Sequence, residues 1–131
     1  MNKGTYILFI KIERDFSFRT SKKLFKIKRG IYVYVGSALK NLYQRVGRHI
    51  SYKEGKYKKH WHIDNLLENG EVIRVVLIPD GKYREIEISK LFNSEFSPVK
   101  GFGASDIKEL DSNLYKIDNL EKAFDLIKKI N

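Results

Sequence analysis

The chain has 131 residues, a formal net charge of +10, 42% hydrophobic and 32% charged residues, and no cysteine. One domain with a real core fits that length. The missing thiols exclude a disulfide framework, a thiolate nucleophile, a Cys-ligated zinc site and an iron–sulfur cluster, and no apolar run approaches the ~20 residues of a membrane span.

The elements read as follows. Gly4–Ile12 is β-branched and aromatic, the composition of a buried strand. Phe16, Phe18, Leu24, Phe25 and Ile27 alternate with polar residues, which predicts a hairpin turning near residues 21–23. A turn at Arg29 and Gly30 leads into a strand over residues 31–35. Residues 39–50 have helical period, with Leu39, Leu42, Tyr43, Val46 and Ile50 on one face. A basic loop spans residues 53–59, and a helix over residues 61–68 ends at Asn69 and Gly70. A strand over residues 72–78 is stopped by Pro79, Asp80 and Gly81. A helix is expected over residues 83–92, a Gly-rich loop over 97–106, and a strand at Leu114–Ile117. Asp118 is the expected cap of a last helix, with Glu121 as its capping-box partner. Leu120, Ala123, Phe124, Ile127 and Ile130 form that helix's stripe. The sum is a single α+β domain over residues 1–131: a small, mostly antiparallel sheet flanked by helices, with an extra N-terminal hairpin.

Charge is unevenly placed. Residues 1–60 hold 16 Lys and Arg against three acids, whereas residues 61–131 hold 10 against 13. A basic half points to an anionic partner, most often nucleic acid; a Lys-rich composition that favours solubility is the other reading.

On the helix after the 31–35 strand, Arg45, Arg48 and His49 fall within about one third of the circumference. The strand ends in Tyr34-Val35-Gly36-Ser37, so a tyrosine, two guanidinium groups and an imidazole lie near one sheet edge. Guanidinium forks match phosphate oxygens. Glu85, at the start of the 83–92 helix, borders its apolar face. A lone carboxylate near arginines suits Mg²⁺, which takes one or two carboxylates and completes its shell with water and phosphate.

These residues resemble the GIY-YIG nuclease superfamily. Gly4-Thr5-Tyr6 matches its first element, and Tyr34-Val35-Gly36 its second; the literal Gly30-Ile31-Tyr32 is a decoy. Arg45 matches the superfamily's helical arginine, His49 the His or Tyr one turn later, and Glu85 the metal-binding glutamate. The similarity is closer to an uncharacterised branch, a domain of unknown function found alone or appended to endonuclease III-type glycosylases. That branch's pattern appears as Gly30-Ile31-Tyr32-Val33-Tyr34-Val35-Gly36-Ser37-Ala38, then Arg45, Arg48 and His49, then His60-Trp61-His62-Ile63-Asp64, and finally Gly101-Phe102-Gly103-Ala104-Ser105-Asp106 with Leu114-Tyr115. It covers about residues 4–115 of the chain. Departures are a longer interval from Tyr6 to Tyr34, Thr5 in place of an apolar residue, Ile86 and Ile107 where the branch has cysteines, and Asn113 where it has His.

The resemblance implies phosphodiester hydrolysis with one divalent metal, Mg²⁺ or Mn²⁺, held by Glu85. Tyr6, Tyr34, Arg45, His49 and Glu85 would be catalytic, acting on DNA in repair or recombination, with a repair protein as a possible partner. Arg48, Lys53, Lys56, Lys58, Lys59, His60 and His62 would contact the nucleic acid. A cytoplasmic location is expected, since the N-terminus lacks a signal-peptide core. Tyr6 as a base would need about 3.4 kcal/mol of preferential phenolate stabilisation to bring its pKa from ~10 to ~7.5; without metal it should stay protonated.

Each residue has a plainer role. The tyrosines suit a strand at the edge of a core, the arginines a solvated helix face, and Glu85 a helix N-terminus favoured by the dipole. Glu87 is the fallback ligand if the register is off by two. His49, His60 and His62 raise a zinc alternative, against which residues 60 and 62 point ~200° apart on a helix. Internal hydrogen bonds for one histidine and Asp64, with Trp61 packed beneath, are the plainer expectation. A non-catalytic nucleic-acid-binding module and an RNA-processing nuclease are the competing functions.

Overall fold

The computed structural model describes residues 1–55, 57–59, 61–80, 84–103 and 110–130. Seven strands and four helices follow one another in those segments: β1 (Gly4–Ile12), β2 (Phe16–Arg19), β3 (Leu24–Ile27), β4 (Gly30–Ala38), α1 (Leu42–Ile50), α2 (Ile63–Asn69), β5 (Glu71–Pro79), α3 (Glu85–Glu95), β6 (Ser97–Pro98), β7 (Leu114–Ile117) and α4 (Leu120–Lys128). The main sheet has the order β5-β1-β4-β7-β6, and every pairing in it is antiparallel. The β2–β3 hairpin forms a separate two-stranded sheet. The α+β expectation holds, extra hairpin included.

β1 is apolar nearly throughout because both its faces are covered. Period-two alternation sends Tyr6, Leu8, Ile10 and Ile12 to one side, with α1, α2 and the hairpin. Ile7 and Phe9 go to the other, with α3 and α4. β4 divides the same way: Tyr32 and Tyr34 join the first core, Val33 and Val35 the second.

Several boundaries differ from expectation, each for a local reason. β4 runs from Gly30 to Ala38, past the expected strand over residues 31–35, because Ser37 and Ala38 pair with Thr5 and Gly4. α1 starts at Leu42, since Asn41 is left-handed at φ 59° and cannot continue a helix. Its buried face is Leu42, Val46 and His49, whereas Leu39, Tyr43 and Ile50 are exposed. The expected apolar face was therefore rotated away from the imidazole that the fold buries. Asn119, not Asp118, caps α4, its Oδ1 accepting from the Lys122 N–H at 3.1 Å. Ser97 and Pro98 pair with β7 where a loop was expected. α3 begins at Glu85; Tyr83, its expected start, and residues 104–106 of the Gly-rich loop lie outside the described residues.

Candidate active site

The site is built on the last third of β4. Gly36 lies directly opposite Tyr6 in the β1–β4 register. A Cβ built on Gly36 would sit 2.5 Å from the Tyr6 hydroxyl oxygen. Only glycine leaves room for the phenol to lie across the strand. From there Tyr6 Oη meets His49 Nε2 at 3.0 Å. The Tyr34 ring lies 6.3 Å from that of Tyr6.

The next residue, Ser37, ties together two side chains from opposite sides of the sheet. Its carbonyl accepts a 2.8 Å hydrogen bond from Arg45 Nη1, on α1. Its hydroxyl donates to Glu85 Oε1 at 3.0 Å, at the first residue of α3. Tyr6, Tyr34, Arg45, His49 and Glu85 are thus gathered around one short stretch of strand. Glu87, two residues on, is surface-exposed and pairs with Arg84. The helix register therefore gives the inward position to Glu85.

Burial sets the protonation states. It pushes the Tyr6 phenol well above its ordinary pKa; Tyr34, Glu85 and Asp64 add to this, and Arg45 opposes it. Tyr34 is raised too, chiefly by burial. His49 is held down to about 4 by burial, against the pull of Asp64 and with help from Arg48 and Arg45. At neutral pH, then, a protonated phenol faces a neutral imidazole. Burial also raises Glu85, and hydrogen bonds from Ser37 and Asn113, with Arg45, partly offset it. Two polar atoms near these groups, His49 Nδ1 and Asn113 Oδ1, are buried without a hydrogen-bond partner.

Arg48 is engaged differently from the expected phosphate contact. Its guanidinium makes a two-pronged contact with Asp64, at 3.0 and 3.2 Å, and donates to the Lys58 carbonyl at 2.9 Å. It also lies within 4.8 Å of the Trp61 ring centre and 4.9 Å of that of Tyr57. Asp64 is fully buried and also accepts from the Trp61 N–H. This is the internal role expected for Asp64, and it uses the guanidinium fork of Arg48. Arg45 stacks on the same Trp61 at 4.9 Å.

His62 stands apart from His49. Its Nδ1 accepts the Gly103 N–H at 3.0 Å, and its ring packs on Phe25 and Phe102. Lys53, Lys58 and Lys59 are exposed, with Lys59 on Glu68 at 2.6 Å. Lys56 and His60 lie outside the described residues. Among the described residues no group of three His, Asp or Glu is placed to share a metal. The oxygen donors here are the Glu85 carboxylate and the Ser37 hydroxyl bonded to it. Such hard donors fit Mg²⁺ or Mn²⁺ and are a poor match for a soft metal. Ser37 is the residue that sequence reasoning passed over. Its signal was there: a hydroxyl in an otherwise apolar strand, directly after the Tyr-Val-Gly match.

The fold defines a small antiparallel α+β domain with its polar cluster at the end of one central strand. The sequence profile of the family described as Domain of unknown function DUF123 matches residues 5–131, and the chain belongs to that family. No curated protein and no solved structure matches the chain. Among the described residues no helix is long and apolar enough to cross a membrane.

Proposed function

We propose that this protein is a divalent-metal-dependent endonuclease of GIY-YIG type. It would hydrolyse phosphodiester bonds in DNA, in the cytoplasm, in repair or recombination and together with a repair partner. One observation carries the reading: Ser37 joins Arg45 and Glu85 beside a buried Tyr6–His49 pair. Those residue types are what phosphoryl transfer asks for, namely positioned positive charge, a carboxylate for a cation and a proton acceptor.

Glu85, with Ser37 beside it, would hold Mg²⁺ or Mn²⁺. When bound, such an ion polarises a phosphoryl oxygen and supports the leaving oxygen. Arg45 stabilises charge on the phosphoryl oxygens; its tie to the Ser37 carbonyl fixes the fork before substrate arrives. His49 Nε2, neutral and 3.0 Å from Tyr6 Oη, is placed to take the phenol's proton as that oxygen receives one from water. Arg48 positions rather than binds: it clamps Asp64 and holds Trp61 against Arg45. The exposed Lys53, Lys58 and Lys59 add phosphate contacts on the basic half.

The test is cleavage of branched, nicked, single-stranded and duplex DNA in Mg²⁺, Mn²⁺ and EDTA. Nicking that needs the metal supports the reading. Binding with no cleavage of any substrate would make the protein a nucleic-acid-binding module instead. In both cases neutralising about six phosphates predicts a slope near −5 in log K against log salt.

A further inference from the structure

A cleft of about 730 Å³ lies apart from the Ser37 cluster. It opens between the β2–β3 hairpin and the segment at Lys100 and Gly101, with Leu110 and Asp111 on the far wall. Its volume falls within the roughly 300–1,000 Å³ of sites that enclose a small molecule. A single nucleotide fits such a space; a base pair held in a double helix does not enter it.

The lining has a consistent chemistry. Lys22, Lys23 and Lys100 carry positive charge at the rim, opposed by the one carboxylate of Asp111 among the described lining residues. Lys23 Nζ is held on the Lys100 carbonyl at 2.6 Å, which fixes one ammonium group at the mouth. It also stands 5.1 Å over the Phe25 ring. Deeper in, His62 offers a half-buried ring. Because Nδ1 accepts the Gly103 N–H, the neutral ring must carry its proton on Nε2. Burial lowers the His62 pKa and keeps that neutral form. No protein acceptor takes the Nε2 proton among the described residues, so a donor is left for a ligand.

The cleft also adjoins the candidate site. The Phe102 ring touches both His62, at 5.4 Å between centres, and Tyr34, at 6.2 Å. Gly103, whose N–H fixes His62, lies beside Tyr34: a Cβ there would be 3.7 Å from the Tyr34 ring. Its φ of +75° suits glycine, which lets the backbone turn its N–H onto the imidazole. The buried Phe102 ring and the Gly103 backbone thus set His62, on the cleft wall, beside Tyr34 of the candidate site.

We propose that the cleft receives one unpaired nucleotide of the bound strand, its phosphate on the lysine rim and its base against His62. The preferred substrate class is then nucleic acid that already carries an unpaired nucleotide. Drawing a paired base from its stack carries an unpairing and unstacking cost that a bulge or gap avoids. This inference rests on the nucleic-acid reading of the neighbouring site.

The test is a binding ratio. DNA duplexes of equal length, one fully paired and one with a three-nucleotide bulge, are titrated against the wild type without metal. The bulged probe should bind at least tenfold tighter. Lys22→Glu/Lys100→Glu, both on exposed side chains, should bring the ratio to within twofold. His62→Phe, which keeps a ring but loses the donor, should reduce the ratio severalfold. Lys22→Glu alone serves if the double variant does not fold. Equal binding of the two probes by the wild type overturns the proposal, as does a preference that survives the lysine reversals. Metal-dependent cleavage without the preference sinks this inference alone. The preference without cleavage sinks the nuclease reading alone, and absence of any DNA binding sinks both.

Discussion

The α3–α4 side of the sheet and the α1–α2 side are both packed, but they bury different chemistry. Against α3 and α4 the core is Ile7, Phe9, Val33, Val35, Ile88 and Phe92. Of its polar groups, the Ser89 hydroxyl meets the Tyr115 hydroxyl at 2.7 Å and that hydroxyl donates to the Ser112 carbonyl at 2.8 Å, whereas the buried Thr5 hydroxyl, on the Ile7 and Phe9 face of β1, has no partner. Against α1 and α2 the fold buries Tyr6, His49 and Asp64 among its aliphatics, and His49 Nδ1 goes without a partner. Glu85, the buried ionisable group that α3 supplies, sits at the helix's first residue, where it reaches Ser37. One side is a scaffold. The other accepts the cost of buried ionisable groups, as a site that must move protons and hold charge would require.

That contrast can be broken in steps. The largest stability effect is expected at Arg48→Ala. It leaves the fully buried Asp64 carboxylate without its guanidinium, a change that costs about 3–5 kcal/mol. Urea denaturation measures it; a loss under 1 kcal/mol would mean that the clamp does not hold α1 on α2.

The next effect is a pH dependence. His49 has a folded pKa of about 4, below its unfolded ~6.5, so the unfolded chain binds the extra proton between those values. The stability it contributes is complete above pH 6.5 and is lost as pH falls towards 4, by roughly 3 kcal/mol. His62, lowered for the same reason, has the same sign. Glu85 is raised, so it opposes them: its folded form takes up a proton before its unfolded form does. His49→Phe should flatten the slope of stability against pH between 6.5 and 4. An unchanged slope would show that the imidazole is not held neutral.

A smaller loss, about 1–3 kcal/mol, is expected for Gly36→Ala, whose methyl displaces the Tyr6 ring. Loss of the Tyr6–His49 contact, seen as a shift of the His49 ring resonances, checks the cause as well as the size. The smallest effect is expected at Glu87→Gln. Its exposed pairing with Arg84 is worth about 0–1 kcal/mol.

The sequence announced the scaffold more fully than the site. The β-branched, aromatic run of Gly4–Ile12 and the polar–apolar beat of the hairpin announced strands that the fold contains. Tyr6, Tyr34, Arg45, His49 and Glu85 could be named from the resemblance to the GIY-YIG motifs, and the fold gathers them. What spacing did not reveal was who holds whom. The rotation of α1 that buries His49 depends on Asn41 in a left-handed conformation, which periodicity does not register. The engagement of Arg48 by Asp64 joins two helices across a loop, so it depends on tertiary packing. The bridging role of Ser37 needs both faces of the sheet at once. Such long-range pairings are absent from any local pattern.

The central claim is that Glu85, and not its exposed neighbour, turns a nucleic-acid-binding surface into a cutting one. The most direct measurement compares nicking of a bulged DNA in Mn²⁺ by the wild type, Glu85→Gln and Glu87→Gln, with DNA affinity measured in parallel. Expected are nicking by the wild type and by Glu87→Gln within about twofold of each other, a loss of about a thousandfold or more for Glu85→Gln, roughly 4 kcal/mol of barrier, and affinities within a few-fold throughout. Nicking by Glu85→Gln at the wild-type rate, or no nicking by the wild type in any divalent metal, would contradict the account.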